Sequence, residues 1–290
     1  MLGLCSGDPI VDTLRSVFHA NIVEVPEERI KPLIVAAEAD GRHTSFRGML
    51  SVLLKQPSSY VDPTVLQSLM ANISGQKSRE VHVDIGLKIL GNFLAAFGIP
   101  SINISAAFSG AQKVSFSFDN VIRYYVDDGS LGNELIGNAI NFGNPAAAIF
   151  SVPDNLYRCY ILDSTITSSD FTISVEQSSG NDFKINLPAI QQIVKQADVD
   201  VAVESSSSTS VTFTGQKHLC FAFSCLLAEL DANGRVISLP PGGELSPIRD
   251  MLARGASAVA RPAHVLFTKT PAMIETEFFT EGNESKAAGR

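Results

Sequence analysis

Three observations on this chain of 290 residues predict an α+β fold, with a twisted, mostly antiparallel central sheet and helices around it. Runs of apolar/polar alternation recur from residue 101 onward. Short segments with apolar residues at helical spacing interrupt those runs. The strands therefore come in pairs between helices, instead of one strand to one helix, which favours an antiparallel over a parallel sheet.

The elements follow in order. DPIVDTLRSVF (8–18) reads as a short helix, because Pro9 suits a first turn and Ile10, Leu14, Val17 and Phe18 share a face. NIVEV and then FRGMLSVLLK read as strands, and VDPTVLQSLMANIS as a helix or a turn-rich connector. KSREVHVDIGLKILGNFLAAFG has a strand option in its first half, whereas ILGNFLAAFG is helical and stops at Gly98 before Pro100. SINISAAF sets Ile102, Ile104, Ala106 and Phe108 on one face, and KVSFSFDNVI does the same with Val114, Phe116, Phe118 and Ile122. With the Gly-containing SGAQ between them, the two read as a hairpin. GSLGNELIGNAINF is a helix starting near Ser130. Asp127 and Asp128 fit a turn and helix start there, where carboxylates complement the helix dipole.

LYRCYILDSTITSSDFTISVEQ reads as two strands, the second alternating Phe171, Ile173 and Val175 against Thr172, Ser174 and Glu176. LPAIQQIVKQA (187–197) is a helix with Pro188 near its start. VDVAVESSSSTSVTFTG supplies two short strands, with Val201 and Val203 on one and Val211 and Phe213 on the other, about a Ser-rich tip. A long apolar strand, LCFAFSCLLAEL, turns through DANG into RVISL.

Composition excludes several classes. The chain is 45% hydrophobic and long enough to bury about three quarters of its unfolded surface. Its net charge of -8 argues against a nucleic-acid partner and against constitutive docking on an anionic membrane. No run approaches the ~20 apolar residues of a spanning helix, and no basic-then-apolar leader opens the chain. A soluble, cytoplasmic protein is the expectation.

Catalytic signatures are missing. There is no phosphate loop, dinucleotide-binding glycine pattern, zinc-protease motif or nucleophile elbow. The five histidines are scattered without a second ligand at metal-binding spacing, so neither enzyme activity nor a metal or cofactor is expected. Cys220 and Cys225, five apart in one strand, should face opposite ways, and with Cys159 they read as buried, inert thiols. Cys5 stands apart, close to the N-terminus between Leu4 and Ser6.

Three stretches resemble bacterial gasdermins, members of the pore-forming gasdermin family. They are LCSGDPIVDTLR at the start, SINISAAFSGAQKVSFSFDNVIRYYVDD, and the span from LYRCYILDSTITSSDFTISVEQ through HLCFAFSCLLAELDANGRVISLPPGG. The resemblance covers about residues 3–245 and rests on diffuse patterns. Animal gasdermins carry a large C-terminal inhibitory domain, whereas the stretch after Gly243 here is short, as in bacterial members.

The resemblance implies a pore-forming domain over 1–245 and a short autoinhibitory segment over 246–290. It implies a cytoplasmic monomer whose proteolysis yields a homo-oligomeric β-barrel in the inner (cell) membrane, causing cell death in antiphage defence. The activating protease, caspase-like or other, is expected to be encoded nearby, and membrane lipids are the other partner. The membrane-inserting regions would be 101–122 and 171–214, with apolar faces at Ile102, Ile104, Phe108, Val114, Phe116, Phe118, Phe171, Ile173, Val175, Val201, Val203, Val211 and Phe213. Alternation alone fits a half-buried soluble sheet equally well.

Within that reading Cys5 is a candidate for an acyl, palmitoyl-type chain, with a plain buried thiol as the alternative. Arg254 and Arg261 are candidate cleavage positions, since GASAVARPA is a small-residue run open to proteases. Val265, Leu266, Phe267, Met273, Ile274, Phe278 and Phe279 make the end too apolar for a free tail and are expected to dock on the body. The competing function is a soluble ligand-binding or interaction protein whose alternating strands line a cavity.

Overall fold

Two strands much longer than the predicted ones carry the sheet. The computed structural model describes residues 9–18, 20–39, 44–70, 79–99, 104–152, 156–175, 184–197 and 199–239. The elements are α1 (Pro9–Phe18), β1 (Asn21–Glu27), β2 (Ile34–Ala39), β3 (Thr44–Met49), α2 (Leu50–Leu53) and β4 (Leu66–Leu69). Then come β5 (Arg79–His82), α3 (Val83–Ala96), α4 (Ile104–Ala107), β6 (Lys113–Asp119), β7 (Ile122–Tyr125) and α5 (Asp128–Leu135). The rest are β8 (Tyr157–Val175), α6 (Leu187–Gln196), β9 (Val201–Ser207), β10 (Ser210–Leu230) and β11 (Val236–Ser238).

β8 and β10, of 19 and 21 residues, lie antiparallel at the centre of an 11-stranded sheet. Along the free flank of β8, β6, β7 and β2 follow one another. Along the far flank of β10 come β9, β1 and β11. β5, β4 and β3 then pair outside β6, β7 and β2. Every pairing among the described strands is antiparallel, as the paired-strand pattern predicts.

The helices start and stop where local chemistry dictates. Asp127 caps α5 by accepting the Ser130 N–H at 2.8 Å, which holds its carboxyl below the ordinary range. Asn186 caps α6 by accepting from the Ala189 N–H at 3.2 Å. Gly98, at φ +81°, ends the turn after α3 in a backbone region few other residues adopt.

Several expectations are corrected. Tyr157–Val175 form one strand where two were expected, because the polar centre DSTITSSD finds partners without leaving the ladder. The Ser164 and Ser224 hydroxyls lie 2.6 Å apart, and the Thr167 hydroxyl donates to the Ile122 carbonyl at 3.1 Å. β10 likewise runs on from VTFTG into LCFAFSCLLAEL, with a register shift between Thr214 and Leu219. FRGMLSVLLK is strand only to Met49, after which Leu50 and Leu53 bury themselves at helical spacing in α2. VDPTVLQSLMANIS contains a strand, β4, held by its ladder to β7 and not by a buried face.

From Ile104 on, where it is described, SINISAAF is not a strand of a hairpin. Ile104–Ala107 form α4, β6 pairs with β5 instead, and Ala107 accepts the Asn186 N–H at the head of α6. Small residues with good helix propensity satisfy either period, and packing against α3 and α6 selects the helix. Ile102 lies outside the described residues, as does the side chain of Ile104.

Cys220 and Cys225 do not face opposite ways. Register shifts between Cys220 and Ala222 and between Ser224 and Cys225 bring both into one cluster with Val23, Leu162 and Phe223. With Cys159 they are buried, and burial pushes the Cys159 thiol up to about 12 and raises Cys220 too. Such thiols are poor nucleophiles. Cys5, Arg254, Arg261 and the whole stretch 246–290 lie outside the described residues.

Candidate functional site

Four neighbouring strands, in the order β6, β8, β10 and β9, place the candidate residues in cross-strand rows. Phe118 lies beside Phe171, Phe171 beside Phe213, and Phe213 beside Val203. The next row is Phe116, Ile173 and Val211, and beyond it Val114 lies beside Val175. Because the side-chain period of a strand is two, these rows share one face. The face between them is small and polar: Ser115, Ser174 and Ser210 in one row, Ser117, Thr172, Thr212 and Glu204 in the next.

The apolar face is closed to water. Phe118, Phe171, Ile173, Val211 and Phe213 have no exposure, and Val114, Phe116, Val175 and Val201 are buried with them in one cluster. Val203 packs against that cluster half-buried, and Phe108 enters it from the loop after α4. The structure thus brings together every candidate of the two regions that it describes.

Helices form the cover. From α3, Phe93 stacks on Phe171 with ring centroids 5.4 Å apart. From α1, Phe18 sits 4.8 Å from Phe118. Ile190 and Val194 of α6 fill the region over β9. Two glycines set how closely α3 approaches. A Cβ on Gly86 would lie 2.1 Å from Val114 Cγ2, and one on Gly215 would lie 2.1 Å from Phe97 Cζ. Gly86, Phe93, Phe97 and Gly215 escaped the sequence reading. The first three lie on a visible helical stripe, but nothing in the sequence marks Gly215 as the floor of a contact.

The polar face is wired by hydroxyls. Thr172 and Thr212 lie 2.8 Å apart, and Ser174 donates to Ser210 at 2.8 Å. Asp119 stands directly across from Asp170. Burial raises the pKa of Asp119, opposed by the hydrogen bond from Thr172 at 3.3 Å and helped by the charge of Asp170. Asn120 donates to Asp170, which also accepts from the Ser169 hydroxyl at 3.0 Å.

Among the described residues no helix is long and apolar enough to cross a membrane, and no three His, Cys, Asp or Glu side chains group as metal ligands. What the arrangement offers is a latent surface: a strand set apolar on one side and polar on the other, with helices over the apolar side.

The comparisons agree with this architecture. The family model described as Bacterial Gasdermin Family matches residues 23–235. Gasdermin bGSDM of Vitiosangium sp. (strain GDMCC 1.1324) is 32% identical over 224 residues, covering 77% of this chain and 82% of that protein. Gasdermin bGSDM of a Desulfuromonadales bacterium is 30% identical over 237 residues, covering 81% and 86%. The structure of a bacterial gasdermin from Bradyrhizobium tropiciagri superposes with a TM-score of 0.53 at 14% identity, covering 79% of this chain and 90% of that one, and so shares the fold. With its long central strands, its covered apolar face and these relatives, the chain belongs to the bacterial gasdermin family.

Proposed function

We propose that the protein is an autoinhibited pore-former. Removal of a short C-terminal segment lets 101–122 and 171–214 refold into amphipathic hairpins, which assemble with other copies as a membrane β-barrel. One observation carries this reading: the apolar rows of β6, β8, β10 and β9 form one continuous face opposite a polar one built mainly of serines and threonines. A membrane strand needs about 9–11 residues with alternate apolar side chains, and this face needs only uncovering and extension to meet that demand. Membership of the gasdermin family supports the same reading.

The covering helices support a triggered mechanism. The face cannot meet lipid while Phe18, Phe93 and Ile190 cover it, and Phe-rich burial of this kind contributes roughly 1.5–3 kcal/mol per side chain. Val265, Leu266, Phe267, Met273, Ile274, Phe278 and Phe279 are proposed to add to that closed state, and cleavage at Arg254 or Arg261 to release them. A cut ends the tether, and with it the high effective concentration that keeps a weakly held segment in place. An acyl chain on Cys5, a protease encoded nearby, death of phage-infected cells and insertion in the inner membrane complete the proposal.

Dye release from lipid vesicles tests it. The full chain should leave vesicles intact, and the same preparation after limited C-terminal proteolysis should empty them. A cleaved, folded chain that leaves vesicles sealed would return the protein to the ligand-binding reading, for which the groove of about 310 Å³ between α6 and β9 is the natural site.

A further inference from the structure

The helical cover leaves the apolar face partly open over β9. Phe118, Phe171, Val211 and Phe213 have no exposure, whereas Val203 of β9 is only half-buried under α6. A groove of about 310 Å³ runs there between helix and strand. Gln191, Val194 and Lys195 line it from α6, and Val199, Val201 and Val203 line it from β9 and the residues just ahead. Its walls are aliphatic, and its two polar side chains both belong to the helix.

The helix period fixes where those polar groups stand. Gln191 and Lys195 are four residues apart in α6, so they occupy one edge of it, while Val194 is buried against the strand. Lys195 lies in the last turn, where the carbonyl end of the helix favours a cation. Among the described residues it has no carboxylate partner. The ion pairs there join Arg29 to Glu27, Arg158 to Glu38 and Lys217 to Glu28, and the neighbouring Asp200 does not line the groove. An unpaired ammonium at the edge of a valine-walled groove is complementary to a ligand with an anionic head and an apolar body. The groove is at the small end of ligand sites, and at about 30 Å³ for each water displaced it takes roughly ten water-sized groups. One cation and one amide match the two oxygens of a carboxylate, whereas a phosphate draws on several donors and cations.

We propose that the groove between α6 and β9 binds a free aliphatic carboxylate of medium chain length. The chain lies along Val194, Val199, Val201 and Val203, the Lys195 ammonium pairs with the carboxylate, and the Gln191 amide donates to it. The ligand shields Val203 and touches helix and strand at once. It therefore binds the folded arrangement in which α6 lies on β9, and stabilises that arrangement by mass action. This site stands apart from the pore reading and does not need it.

Titration of the full chain with decanoate, kept below micelle-forming concentrations, tests the site. Decanoate should bind saturably, one per chain, and raise the melting temperature. Acetate has the head without the chain and decanol the chain without the charge, so each should bind about tenfold more weakly or worse. Lys195→Gln, at an exposed helix position, should lose about tenfold in decanoate affinity and with it the preference over decanol. Val199→Phe should fill the groove and abolish binding. Amides of 201–207 should exchange more slowly with decanoate bound. The site is overturned if decanoate does not saturate, if decanol binds as well, if Lys195→Gln keeps its affinity, or if exchange at 201–207 ignores the ligand. Vesicle leakage on cleavage is a separate result. Sealed vesicles with intact decanoate binding remove the pore and keep the groove, whereas leakage without saturable binding removes the groove and keeps the pore.

Discussion

The ring of Phe97 lies over Gly215, so closely that a Cβ on Gly215 would meet Phe97 Cζ at 2.1 Å. The contact joins the C-cap of α3 to the first half of β10, two parts that separate if the apolar face is uncovered as proposed. Any side chain at 215 has to displace the ring. Gly215→Val should therefore lower the unfolding free energy by about 1–3 kcal/mol, as overpacking does. The measurement is a urea midpoint that falls with an unchanged slope, together with slow dye release from vesicles before any cleavage. A variant as stable as the parent would show that the ring has somewhere else to go.

The opposite intervention should lock the protein. A Cβ built on Gly86 lies 3.6 Å from Val114 Cβ, within the range of a disulfide. In Gly86→Cys/Val114→Cys the bond would clamp α3 to β6. Cleaved and oxidised, this double variant should leave vesicles sealed, and a thiol reductant should restore release. Leakage from the oxidised form would mean that β6 reaches lipid with α3 still attached.

The raised pKa of Asp119, a half-buried carboxyl across from Asp170, makes stability depend on pH. The folded-state pKa of Asp119 is raised above the ordinary value near 3.8, chiefly by burial. A folded state that holds its proton to higher pH than the unfolded chain loses stability as pH rises from the unfolded pKa through the folded one. Asp119→Asn removes that loss and keeps an acceptor for the Thr172 hydroxyl. Its melting temperature should exceed that of the parent at pH 7, and the difference should vanish below about pH 4, near the unfolded pKa. A pH-independent difference would assign the effect to packing.

Cys5 lies outside the described residues, and its modification is a matter of mass. Protein prepared from its own host should carry an added acyl mass that hydroxylamine removes, as expected for a thioester. An unmodified intact mass from that source would leave Cys5 a plain thiol.

Much of the latent face was legible from period alone. Val114, Phe116 and Phe118, then Phe171, Ile173 and Val175, alternate so regularly that their common face needed no coordinates. The stripes of α1 and α6 were equally plain, whereas the helix expected from near Ser130 through GSLGNELIGNAINF begins at Asp128 and ends at Leu135. Each of these is a local property, set by the geometry of one strand or one turn of helix.

What tertiary structure decided depends on partners far away in the chain. The polar run DSTITSSD stays in β8 because Ser224 and the Ile122 carbonyl supply hydrogen bonds from either side. β4 exists because β7 lies beside it, not because any of its own side chains is buried. Ile104–Ala107 become helix through contact with α3 and α6, and two bulges turn Cys220 and Cys225 to one side. Above all, alternation determines that a face is apolar but not what covers it. Water-free packing under a helix and contact with lipid reward the same period, and only the placement of Phe18 and Phe93 over Phe118 and Phe171 shows which of the two this folded state adopts.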